Sequence, residues 1–82
     1  MNGVLVESDV TVTDDQGKRW TITVQAASLY RAVFAYNAEQ VCGSHRHYPK
    51  LERSTVVDVK TPDGQVFRTT GGSAWDWANG KG

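Results

Sequence analysis

The stretch Val10-Thr11-Val12-Thr13-Asp14-Asp15-Gln16-Gly17-Lys18-Arg19-Trp20-Thr21-Ile22-Thr23-Val24 decides the fold. Apolar and polar residues alternate on both sides of Asp15-Gln16-Gly17, the period of strands with one wet face. Gly17 supplies the left-handed residue of a type I turn with a G1 bulge, so a tight hairpin is predicted. With Asp15, Gln16 and Gly17 as the loop, Asp14 faces Lys18, Val12 faces Trp20 and Val10 faces Ile22. The alternation extends back through Val6 to Val4 and forward to Val24, leaving Thr21 and Thr23 outside. Turn geometry and alternation thus agree on one register.

Downstream, Ser28 offers an N-cap, and Leu29, Ala32, Val33 and Tyr36 recur at helical spacing up to about Gln40, with Gly43 as the stop. Tyr30, Phe34 and Val41 form a second apolar row, so either the buried stripe is wide or part of it faces a partner. Residues 43–54 follow neither period and contain Pro49, which reads as a long connection of the kind on which function often sits.

Thr55 to Lys60 then place Val57 and Val59 on one face, Thr61-Pro62-Asp63-Gly64-Gln65 is a turn, and Val66 to Thr70 return. Counting across this turn sets Val59 opposite Phe67 and Val57 opposite Thr69, which repeats the first hairpin at an offset of 47 residues. With two residues deleted, Ser73-Ala74-Trp75 falls on Ser28-Leu29-Tyr30. A short helix from about Ser73 to Asn79 is expected, Asp76 completing a capping box with Ser73.

The expected fold is α+β with the order ββαββα: an antiparallel sheet with both helices on one face. The expected organisation is a single domain over 1–82, made of a hairpin-helix unit at 4–42, a loop at 43–54 and a second unit at 55–80.

Thr21-Ile22-Thr23-Val24 leading into Ala27-Ser28-Leu29-Tyr30-Arg31-Ala32-Val33 resembles short bacterial open reading frames of unknown function. These share a hairpin, a Ser-Leu-Tyr-x-Ala-Val helix start and a second hairpin ending in a Trp-containing helix. The resemblance covers most of the chain and implies architecture, with no activity attached.

Composition narrows the function classes. Nine Lys plus Arg balance nine Asp plus Glu, so no global basic field attracts nucleic acid, and binding of that kind needs a local patch. Cys42 is the only cysteine, which excludes an intrachain disulfide framework and points to a reducing cytoplasm. Met1-Asn2-Gly3-Val4-Leu5 has neither a basic nor a long apolar segment of a secretory leader. No apolar run approaches the roughly 20 residues that span a bilayer, so no membrane role is expected.

Cys42, His45 and His47 are metal-ligand types within six residues. They fall short of the four ligands of a structural zinc site unless Glu39, Glu52 or a second chain completes the shell, so the expectation is no metal and no cofactor. Cys42 with His45 or His47 is the one nucleophile-base pair in reach, but no third group orients the base, so no enzyme is expected. His45, Arg46, Lys50 and Arg53, with Tyr48 among them and Lys18 and Arg19 in the first turn, form the candidate nucleic-acid surface. Gly71-Gly72 before a helix offers backbone amides to an anion or simply relieves a corner.

Trp75 and Trp77 carry the most information, because two residues apart on a helix they point about 200° away from each other. One enters the core and the other is left as a surface aromatic of the type enriched at interaction hot spots, unless a frayed helix folds both onto the sheet. The expected function is a non-catalytic module that binds a protein partner or self-associates as a homodimer through Trp75, Trp77, Tyr30 and Phe34, with exposed sheet edges favouring dimerisation. The alternative is a phage- or mobile-element-type regulator that binds nucleic acid through the 45–53 loop.

Overall fold

A computed structural model describes residues 5–80. Its elements follow in the order β1 (Val6–Thr13), β2 (Arg19–Ala26), α1 (Leu29–Cys42), β3 (Val56–Lys60), β4 (Val66–Thr70) and α2 (Gly71–Ala78). The four strands form one antiparallel sheet in the order β2-β1-β3-β4. Val4, the first residue of the expected alternation, lies outside the described residues.

Both hairpins adopt the counted registers: Val12 faces Trp20 and Val10 faces Ile22, while Val59 faces Phe67 and Val57 faces Thr69. Their turns are closed alike. The Asp14 N–H donates to the Lys18 carbonyl at 2.9 Å, as does the Thr61 N–H to that of Gln65, and Gly17 and Gly64 take positive φ of 83° and 92° where a side chain would be strained. The Asp14 carboxylate accepts from the Trp20 indole N–H and from the Lys18 and Gln16 amides, bonds that hold it below its ordinary carboxylate range.

The hairpins join through β1 and β3, where Val10 faces Val59, Val12 faces Val57 and Thr11 faces Asp58. Replacing each residue by its equivalent 47 positions on, as from Val10 to Val57, returns the same pairs. An approximate two-fold axis therefore passes between Thr11 and Asp58, and the sheet places the two hairpins as equivalents about it.

Val10, Val12, Ile22, Val24, Val57 and Val59 are buried on one face of the sheet with Ala32, Val33 and Tyr36 of α1. Each of the valines and the isoleucine contributes about 1.5–3 kcal/mol on leaving water. Ser28 caps α1, its Oγ accepting from the Arg31 N–H at 3.3 Å. The helix stops at Gly43, whose N–H donates to Glu39.

The second helix departs from expectation. It begins at Gly71 rather than Ser73, and Thr70, the last residue of β4, is its N-cap, accepting from the Ser73 N–H at 3.2 Å. Asp76 makes no capping box and instead meets Arg53 at 3.3 Å. Aligned by their caps, Ala32 of α1 corresponds to Ala74 of α2, and both are fully buried. The two tryptophans therefore correspond to Val33 and Ala35, not to Tyr30 and Ala32.

The cause is a close approach of backbone. The Gly71 and Gly72 amides donate to the carbonyls of Thr55 and Arg53 at 3.1 and 3.0 Å, and a Cβ on Gly71 would collide with the carbonyl oxygen of Glu52. Neither glycine has positive φ, so they serve proximity rather than conformational freedom. With the first amides of α2 already bonded, the anion reading of this corner has no free donors there.

Candidate functional site

Tyr30 and Phe34 lie one helical turn apart on α1, and the structure brings Trp75 and Trp77 of α2 against them. Phe34 and Trp75 have ring centroids 5.1 Å apart, Tyr30 and Trp77 stack at 5.4 Å, and Phe34 and Trp77 stack at 6.1 Å. The expected choice of one tryptophan inside and one outside is resolved by this second wall of aromatics. Trp75 packs against the core with Tyr30 and Phe34, while Trp77 closes the row at the surface with 37% of its area exposed. The Arg31 guanidinium lies 5.6 Å from the Trp77 ring centroid, in cation–π range. Arg31 was missed by sequence reasoning, although its place beside Tyr30 was the available signal.

The connection at 43–54 is fastened to α1 by its own side chains. The Tyr36 hydroxyl donates to the Pro49 carbonyl at 2.7 Å, and the Gln40 amide donates to the Tyr48 carbonyl at 3.2 Å and to that of Arg46. Burial, with a smaller contribution from Tyr48, pushes the Tyr36 phenol up to about 12. Tyr48 then covers Trp20 at 5.0 Å between ring centroids, with His45 and His47 meeting it edge-on.

This folding scatters the other candidates. His45 Nδ1 sits 3.2 Å from Glu39, His47 packs on Tyr48 and Trp20, and Cys42 is exposed with no hydrogen bond to either histidine among the described residues. Among those residues no three metal-ligand side chains converge. Of the basic set, Arg53 pairs with Asp76 and only Arg46 and Lys50 share a groove, beside Gln40 and Leu51. Lys18 lies over Trp20 at 4.2 Å.

Arg19 reaches across β1 to Asp58 at 3.5 Å, where Arg68 also binds at 2.8 Å. The Asp58 hydrogen bonds and charge raise the Arg68 guanidinium above its ordinary value.

Phe67 was also missed. It is the counterpart of Trp20, but among the described residues no loop covers it, and it is 42% exposed there beside a notch of about 170 Å³ lined by Leu29, Val59 and Ala26. The contrast between a long connection after the first helix and none beside β4 was the signal. Among the described residues no helix is long and apolar enough to cross a membrane. No family model matches the chain, and neither does any curated protein or solved structure.

Proposed function

We propose that the chain is a non-catalytic interaction module of the cytoplasm that docks a protein partner on the aromatic surface shared by α1 and α2. The observation that carries the reading is the convergence of Tyr30, Phe34, Trp75 and Trp77 into one cluster that ends at the surface in Trp77 under Arg31. Trp, Tyr and Arg are the side chains that dominate binding energy at protein interfaces, and the two aromatics bury large area with few rotamers. The reading takes both helices to share one face of the sheet, supported by the contacts of α2 with α1 and β4 and by Ala74 in the same core as Ala32. The single, exposed Cys42 supports a reducing compartment.

The nucleic-acid reading draws support only from Arg46 and Lys50 on their common groove, since His45 and Arg53 are held by Glu39 and Asp76.

The test is affinity for a partner identified by crosslinking in cells, titrated with purified protein. Trp77→Ala should cost about 2 kcal/mol of binding, more than tenfold in Kd, while the thermal midpoint moves little. Trp75→Ala, which removes a ring packed against the core, should lower the midpoint clearly. Unchanged affinity of a folded Trp77→Ala protein would sink the reading.

A further inference from the structure

We propose that the free edge of β2 is a self-association surface, pairing antiparallel with β2 of a second copy of the chain so that two four-stranded sheets become one. This is independent of the aromatic surface. The sheet order leaves β2 and β4 at its edges. Starting from the Asp14–Lys18 bond, antiparallel pairs alternate between bonded and unbonded. Trp20, Ile22, Val24 and Ala26 therefore turn their backbone groups toward β1, while Arg19, Thr21, Thr23 and Gln25 turn theirs outward. The same count on β4 turns Val66, Arg68 and Thr70 outward.

The two edges differ in the features that deter strand addition. β4 has five residues and carries the charge of Arg68 at its middle. β2 has eight and keeps one continuous register, and from Trp20 to Ala26 it contains no charge and no proline. Among the described residues one outward group there has a partner: the Thr21 carbonyl accepts from the Tyr48 hydroxyl at 3.5 Å, which leaves its second lone pair for a strand amide.

The pattern of β2 identifies the occupant. Thr21-Ile22-Thr23-Val24-Gln25 is close to a palindrome in chemistry about Thr23. A two-fold axis at Thr23 sets Ile22 against Val24 of the second copy and Thr21 against Gln25 of the second copy, with Thr23 facing its own equivalent. Ile22 and Val24 already lie on the buried face and Thr21, Thr23 and Gln25 on the exposed one, so both faces continue unbroken across the joint. An antiparallel self-pairing of β4 about its centre would instead oppose Arg68 to Arg68.

Thr23→Lys separates fold from assembly. Within one chain the new ammonium group lies opposite Asp9, which now accepts from the Thr23 hydroxyl at 2.7 Å, so the hairpin keeps a favourable cross-strand pair. Across the proposed axis it meets its own copy, a like-charge contact that should weaken dimerisation by more than about tenfold.

Sedimentation equilibrium should show a concentration-dependent dimer for the wild type and for Trp77→Ala, and a monomer for Thr23→Lys at the same concentrations. As a second measurement, Thr23→Cys in a Cys42→Ser background should form a covalent dimer on mild oxidation. Residues facing each other in a bonded antiparallel pair have Cα atoms about 5.5 Å apart, within disulfide reach. A wild type that is monomeric at every concentration overturns the proposal. So does a Thr23→Lys protein that still dimerises, or a Thr23→Cys/Cys42→Ser dimer whose introduced thiols stay free.

Discussion

Gly71 stands in a helix, where propensity alone says that alanine should stabilise by about 1 kcal/mol. The geometry says the opposite, because the added Cβ would run into the Glu52 carbonyl oxygen, which belongs to backbone and cannot swing away. Gly71→Ala should therefore lose about 1–3 kcal/mol, as overpacking does in general. Gly72→Ala is the control: its Cβ would lie 3.2 Å from the Arg53 carbonyl, a contact that a shift of a few tenths of an ångström relieves. Its cost should be smaller. Urea denaturation of both variants checks the order, and a Gly71→Ala protein as stable as the wild type would mean that the 51–55 segment does not press on α2 as described.

At the level of elements, the two hairpins were readable because strand alternation and turn chemistry each specify the register, and both specify the same one. The start of α2 was not. A serine with an acid three residues on has the form of a capping box, but Thr70 at the end of β4 captures the Ser73 amide, and Arg53, brought by the chain between α1 and β3, captures Asp76. The four aromatics could be nominated from the divergence of Trp75 and Trp77, but their convergence could not, since it depends on how α2 crosses α1. The attachment of the 43–54 connection was equally hidden, because Tyr36 had been assigned to the core without a partner for its hydroxyl. Burial of the same phenol gives the fold a pH signature. The Tyr36 phenol titrates at about 12 in the fold, above its ordinary value of 10.0, so the fold holds the proton more tightly than the unfolded chain. Its contribution is complete below pH 10 and should disappear as the pH rises toward 12. Tyr36→Phe should flatten this part of the stability profile while costing about 1 kcal/mol at neutral pH for the lost bond to Pro49. Denaturation midpoints across the alkaline range decide it, and identical slopes for the two proteins would remove Tyr36 as the cause.

For the whole molecule, the joint between the two hairpins lies at the approximate two-fold axis, where equivalence breaks down in an informative way. Thr11 and Asp58 occupy equivalent places, yet the Asp58 side chain is only 7% exposed on the side of the sheet facing away from α1, roofed by Arg19 from the first hairpin and Arg68 from the second. Each arginine is itself largely exposed, so losing either one leaves the carboxylate with the other cation. Losing both removes the last cation as well, a step that neither single loss takes, and leaves water as the carboxylate's replacement partner. The two substitutions should therefore be non-additive, with Arg19→Ala/Arg68→Ala less stable than the single variants together would give. Arg68→Ala should be the more harmful single change, because Arg68 makes two hydrogen bonds to Asp58, the shorter at 2.8 Å, whereas Arg19 approaches only to 3.5 Å. Repeating the cycle with Asp58→Asn should abolish the coupling, since a neutral amide has no charge to strand. A double-mutant cycle by chemical denaturation supplies all of these terms, and simple additivity in the Asp58 background would show that the arginines do not hold the hairpins together through this carboxylate.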